Sequence, residues 1–235
     1  ELPGGTRVEL VGRIDRVDAA STDSGDTYLR VIDYKAGNPA LRLDDVFYGL
    51  NLQLLVYLEA ALANAGRIVG RHCLPGGVFY SRVQNPLLRK KAPVPPAEVE
   101  QDLLRAFRLQ GLILDDPEVL RLMDATAGGE SSVVPAGFRG DGSLRRKPNV
   151  LGLVHFQRLR EHLARTVTEA GRRIGSGEVA IAPFRKGRRS ACTHCPYKPL
   201  CAFDPLVAPN RYRFLPAVAA SEIWRALGLP EEGCR

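Results

Sequence analysis

Apolar and polar residues alternate in two early stretches, and the period then lengthens. Residues 7–18, RVELVGRIDRVD, predict a strand with Val8, Leu10 and Ile14 on one face and Val11, Asp15 and Val17 on the other. Residues 19–26 are turn chemistry, with Gly25-Asp26 closing a hairpin. Residues 27–36 predict a second strand: Leu29, Val31, Asp33 and Lys35 share one face, Ile32 and Tyr34 the other. Gly37-Asn38-Pro39 ends it. Asp44 is placed to cap a helix over 45–65, apolar all round and closed by Gly66 and Gly70, which predicts burial against the sheet. A third strand follows at 77–83, and Pro86, Pro93, Pro95 and Pro96 mark a linker.

Residues 97–125 predict two short helices, and 126–148 a loop or short hairpin. A helix over 150–174 carries its period through Val154, Leu159, Leu163 and Val167. Residues 183–205 form an irregular cysteine-bearing loop, and a last helix lies near 217–227. These elements predict an α/β fold, a mixed sheet flanked by helices. Its core runs over 1–184 with a helical insertion at about 97–148, followed by a Cys-rich loop at 185–206 and a tail at 207–235.

The chain has 235 residues, 45% hydrophobic and 25% charged, which excludes general disorder. Its apolar runs are too short to span a bilayer, and no phosphate-loop motif is present, so it carries no ATP-driven motor of its own. The start, Glu1-Leu2-Pro3-Gly4-Gly5, has neither a signal peptide nor an initiator Met and suggests a piece of something longer. Net charge is +7, and Arg139–Arg189 alone holds 13 basic residues against 4 acidic ones. That excess points either to a phosphate-backbone partner or to a solvated basic face.

Asp15, Asp33 and Lys35 are the sharpest chemical constellation. Two carboxylates from one hairpin suit a hard divalent ion such as Mg²⁺, with the backbone carbonyl of Tyr34 as a further oxygen ligand. A lysine two residues on can orient water or neutralise charge on phosphate. The bland alternative is edge-strand charge that keeps a sheet soluble. Asp18 is explained equally well by turn capping. Gln53 and Tyr57, at i and i+4, share a helix face in an otherwise apolar stretch. Either Gln53 satisfies backbone inside the core, or it faces the acids.

Cys192, Cys195 and Cys201 fall within ten residues, a spacing that suits an iron–sulfur cluster, or zinc with His194 as an awkward fourth ligand. Cys73 reads as a small core residue and Cys234 as unimportant. His72, His155, His162 and His194 lack catalytic partners at recognisable spacing and read as structural or surface residues.

Together the strings GRIDRVD (12–18), VIDYKAG (31–37), QLLVYL (53–58) and CTHCPYKPLCAFDP (192–205) resemble the RecB-like branch of the PD-(D/E)XK nucleases. The resemblance extends to the AddB-type nuclease domains of AddAB-type helicase–nucleases, and LQGLILDDPEVLRLMD (109–124) and SSVVP (131–135) strengthen it. It implies a restriction-endonuclease-like core with a Cys-rich staple, and cleavage of unwound DNA single strands, dependent on Mg²⁺ or Mn²⁺, in double-strand-break repair. Asp15 and Asp33 would hold the metal, and Lys35 would be the catalytic lysine. Gln53 and Tyr57 would match the Q-x-x-x-Y motif.

Cys192, Cys195 and Cys201 would be three ligands of a [4Fe–4S] cluster. The fourth would lie upstream of Glu1, so the cluster is expected to be absent or incomplete here. The partners implied are DNA and an AddA-like helicase–nuclease, with no membrane and a cytoplasmic location. Arg145, Arg146, Lys147, Arg158 and Arg165 would track the DNA backbone. Two rivals are a CRISPR-adaptation-type RecB-like exonuclease and a catalytically idle, cluster- or zinc-stapled DNA-binding module.

Overall fold

The computed structural model describes residues 7–37, 39–88, 90 and 92–230. The readings made on Glu1–Gly5, Asn38 and Cys234 lie outside them. Five strands form one mixed sheet in the order β1-β2-β3-β4-β5. They are β1 (Arg16–Ser21), β2 (Thr27–Lys35), β3 (Leu74–Arg82), β4 (Gln110–Leu114) and β5 (Val150–Leu151). β1 and β4 run antiparallel to β2 and β3 respectively, whereas β2/β3 and β4/β5 are parallel pairs.

The inner strands are apolar on both sides, and two cores result. On one face Leu29, Val31, Val78 and Leu112 pack against Leu54, Leu55 and Leu58 of α2 (Gln53–Ala63) and Phe156 and Leu159 of α6 (Leu153–Gly175). Ile223 and Trp224 of α8 (Ala220–Ala226) join the same core, so the chain's tail is part of the packing. Leu54, Leu55 and Leu58 are fully buried, each contributing roughly 2 kcal/mol of transfer free energy. On the other face Ile32, Phe79 and Ile113 meet Leu120 of α5 (Pro117–Met123) and Val134, Phe138 and Leu144 from the loop that follows. That loop carries two isolated bridges, Glu130↔Gly137 and Phe138↔Leu144, in keeping with the short hairpin read there.

Four expectations change. First, the opening strand starts at Arg16, not at residue 7, and Val8, Leu10 and Val11 are exposed. The Tyr34 N–H on the β1 side of β2 goes to the Asp15 carboxylate at 2.9 Å, not to a strand carbonyl, and the ladder stops there. Second, the helix expected over 45–65 is two, α1 (Leu43–Phe47) and α2, followed by the single turn α3 (Ala65–Ile68). Gly49 (φ 75°) ends α1 in the left-handed region, with Leu50 N–H donating to Asp45 C=O and Gly49 N–H to Val46 C=O. This is a Schellman stop.

Third, Asp44 is not a cap. It lies in the first turn of α1, buried, with an ion-pair partner described below. Fourth, the two helices expected over 97–125 are there as α4 (Pro96–Phe107) and α5, but the interruption between them is itself a strand, β4. Short apolar runs such as Leu112-Ile113-Leu114 are ambiguous by period, and pairing with β3 and β5 decides this one.

The cysteine-bearing segment has more order than a bare loop. A small sheet of order β7-β6-β8 joins β6 (Phe184–Lys186), β7 (Arg189–Ser190) and β8 (Arg213–Phe214), and α7 (Lys198–Cys201) lies between. Among the described residues, no helix is long and apolar enough to cross a membrane.

Candidate active site

The hairpin β1–β2 sets the geometry of the acids. Arg16 pairs with Ile32, so the register carried one residue further puts Asp15 opposite Asp33. Asp33 is on the sheet face covered by α2, and Asp15 sits at a bend just before the first ladder residue. The Asp15 carboxylate is anchored by the Tyr34 N–H at 2.9 Å, between the two motif residues Asp33 and Lys35. Asp33 is 3% exposed. Its Oδ2 lies 2.6 Å from Lys35 Nζ, an ion pair whose geometry makes no hydrogen bond, and that buried oxygen has no hydrogen-bond partner.

α2 supplies the second half. Gln53 lies at its exposed N-terminal edge, and its Oε1 accepts from Lys35 Nζ at 2.8 Å while its Nε2 donates to Tyr57 Oη at 3.1 Å. Gln53 thus meets Lys35 and Tyr57, not backbone inside the core. Tyr57 is half-buried, and Gly12 closes on it: a Cβ at Gly12 would sit 3.1 Å from Tyr57 Cε1. Asp33, Lys35, Gln53 and Tyr57 therefore form one chain of side-chain contacts, and Asp15 adjoins it through the Tyr34 N–H.

Two residues of this group were not anticipated. Tyr80 of β3 is paired with Asp33 in the parallel ladder, and its ring lies 5.6 Å from Lys35 Nζ. Its hydroxyl donates to Asn51 Oδ1 at 2.7 Å. Burial, and then the nearby Asp33 charge, push the Tyr80 phenol above the usual tyrosine range, so it stays a donor. The alternation of residues 77–83 could have suggested an inward Tyr80. Its register with Asp33 depends on a parallel crossover that sequence does not specify.

Asp18 proves structural. It bridges Arg16 at 2.8 Å and Arg30, its cross-strand neighbour, at 2.7 Å. Three of the proposed DNA-tracking cations are engaged with acids. Arg145 and Lys147 approach Glu130 at 3.5 and 2.6 Å, joined by Arg108 at 3.7 Å. Lys147, the nearest, and the other two cations hold Glu130 below the usual carboxylate range. Arg158 pairs with Glu161 at 2.8 Å. Arg146 and Arg165 lie in the loop before β5 and on α6 respectively.

Cys73 is buried in the main core, and burial raises its thiol. His162 is half-buried, stacked on Phe47 and hydrogen-bonded to the Phe47 carbonyl at 3.0 Å, and His155 packs edge-on against Trp224. Cys192, Cys195 and Cys201 are free thiols on the turns after β7 and on α7.

A second unanticipated feature binds this segment to the core. Lys186 of β6, buried, meets Asp44 at 2.5 Å and Asp45 at 2.6 Å, and Arg189 of β7 meets Asp45 at 2.7 Å. Burial alone would raise the Asp45 carboxyl, but the hydrogen bonds from Lys186 and Arg189 outweigh it and the net direction is down.

Among the described residues, no three His, Cys, Asp or Glu side chains converge as a metal-binding group. The hairpin pair passes a different test. A buried Asp33 carboxylate and a second carboxylate, Asp15, tied to the adjacent N–H are the oxygen donors Mg²⁺ takes, since it binds through one or two carboxylates and keeps its waters. Cys192, Cys195 and Cys201 are free and belong to no such converging group among the described residues.

A five-stranded mixed sheet with two acids at the end of one hairpin, a lysine two residues on and a glutamine–tyrosine helix beside them sets the class of fold. The chain belongs to the PD-(D/E)XK nuclease superfamily, whose family model matches residues 1–202. It is similar to the B chain of the ATP-dependent helicase/deoxyribonuclease of Desulforudis audaxviator (strain MP104C), 62% identical over 231 residues, covering 98% of this chain and 20% of that protein. The protein of the same name from Pelotomaculum thermopropionicum is 43% identical, over 97% of this chain and 20% of its own length. That from Bacillus subtilis (strain 168) is 40% identical, over 92% and 19%. The chain thus spans about a fifth of the length of these curated relatives.

Proposed function

We propose that this chain is a metal-dependent DNA nuclease domain that hydrolyses phosphodiesters, exonucleolytically, on single strands produced by a helicase. The observation that carries this reading is the continuous contact set Asp33–Lys35–Gln53–Tyr57, with Asp15 tied to the N–H between the two motif residues. Asp15, Asp33 and the Tyr34 carbonyl would hold Mg²⁺ or Mn²⁺. When bound, the ion supplies Lewis-acid stabilisation of charge on the phosphate.

The chain's own residues do the positioning. Lys35 is held from two sides, by the Asp33 carboxylate and the Gln53 carbonyl, so its ammonium is fixed where it can orient water or meet phosphate oxygen. Tyr57 fixes Gln53 in turn, and Tyr80 with Asn51 closes the side of the site towards β3. Preorganisation of this kind lowers the barrier because no group must reorient as charge develops.

The relatives are named as B subunits of an ATP-dependent helicase/deoxyribonuclease, which supports a place in a helicase–nuclease assembly; on the reading from the motif strings this is an AddB-type component with an AddA-like partner, acting in DNA repair and recombination. On the same reading Cys192, Cys195 and Cys201 are three ligands of a [4Fe–4S] cluster in a longer protein. Iron and sulfide analysis after anaerobic purification tests that part. The nuclease reading is tested by incubating the chain with single-stranded DNA and Mg²⁺ or Mn²⁺. Cleavage should require the metal, and Asp33→Ala should abolish it while leaving DNA binding largely intact. Retained metal-dependent cleavage by Asp33→Ala would refute the assignment.

A further inference from the structure

β2 presents its two faces to different surroundings. Asp33 and Lys35 face α2, whereas the Arg30, Ile32 and Tyr34 side chains alternate onto the opposite face, with Arg16 of β1 beside them. Ile32 is covered there, 4% exposed, but two residues on the cover ends and Tyr34 is 43% exposed. Tyr34 sits over an open groove of about 340 Å³, within the range of small-ligand sites.

The groove's chemistry is of two kinds. Phe107, Leu104 and Val133 give an apolar wall, while Arg16 and Arg30 line the rest with Ser81 and Ser132. The two guanidiniums share one carboxylate, Asp18, which leaves a net positive charge. Arg30 Nη1 is buried and makes no hydrogen bond. Arg16 is held by Asp18 at 2.8 Å. A stacking ring beside an apolar wall, cations and hydroxyls is what a nucleotide of a single strand requires: a surface for the base and a positive edge for its phosphate.

Tyr34 is also tied to the catalytic group through the backbone. It lies between Asp33 and Lys35, and its N–H is the donor that anchors Asp15. Successive strand residues are about 3.3 Å apart, so a nucleotide adjoining one bound at the acids is within reach of the ring.

We infer that the groove under Tyr34 is a subsite for one nucleotide flanking the scissile phosphate, on the sheet face opposite the acids, with the DNA strand turning around the C-terminal end of β2. This deepens the nuclease reading and rests on it.

The test uses the chain in EDTA, where binding is read without cleavage. A set of single-stranded oligonucleotides carries 2-aminopurine at one position each. Stacking on Tyr34 should quench one position, or two adjacent ones, and Tyr34→Leu should abolish that quench. Tyr34→Leu should also weaken binding about 5- to 150-fold, the range for losing one base–aromatic stack. Tyr34→Phe keeps the ring and should restore both, which separates stacking from misfolding. A position-specific quench that survives in Tyr34→Leu at unchanged affinity, or no quench at any position in the parent chain, overturns the subsite. The Asp33→Ala cleavage measurement decides the nuclease reading separately.

Discussion

Lys35 has two neighbours that hold it and one that confines it: Asp33, Gln53 and the ring of Tyr80. Lys35→Met should therefore lower kcat by about 10²- to 10³-fold, the usual loss for removing one preorganised charge-stabilising donor, as read by gel assays of labelled single strands at saturating metal. Gln53→Ala removes a holder and not a reacting group, so its loss should be smaller, about 10-fold. These side chains were legible from sequence because parity along one strand and i, i+4 spacing along one helix fix which residues share a face. Asn51 and Tyr80 were not, because their place depends on strand pairing between distant segments. Asp18 was undecided from sequence for the same reason, and its cross-strand position opposite Arg30 settles it as an ion-pair partner.

Single elements were legible where their period was long and clean, as in α6 and β2, and illegible where a backbone stop or a long-range partner decided. Gly49 is such a stop. Gly49→Ala forces a Cβ into a left-handed turn and towards Thr166 Cγ2 at 3.1 Å. It should cost about 1–2 kcal/mol, measured by urea unfolding, and weaken the placement of Gln53 on the next helix. The β6–β7 hairpin shows the other limit. No periodicity joins Lys186 to Asp44 and Asp45, because charges this far apart in sequence pair only once the fold is made. Lys186→Met leaves two acids buried without their shared cation and should cost about 3 kcal/mol. Circular dichroism melts against Arg188→Met, on the exposed turn of the same hairpin, provide the control.

Over the whole molecule, the two-sided sheet explains why the fold class could be read while several boundaries could not: each face has its own core, and each core recruits segments far apart in the chain. Stability should also respond to pH through His162. Burial, partly offset by hydrogen bonds to the Phe47 and Val46 carbonyls, lowers its folded pKa below the ordinary 6.5. The folded state therefore favours the neutral ring. Its contribution is complete above the unfolded value and is lost as pH falls from there through the folded one. Melting temperature should drop as pH falls below about 6.5, and His162→Gln should flatten that drop.

The clasp between the hairpin and α1 contains no sulfur. Lys186 and Arg189 tie the cysteine segment to Asp44 and Asp45 by ion pairs, upstream of all three thiols, and those thiols are themselves partly exposed or exposed. Serine scanning at 192, 195 and 201 should consequently report on ligand chemistry and not on collapse of the scaffold. Any change in DNA handling that it reveals can be assigned to the sulfur atoms themselves.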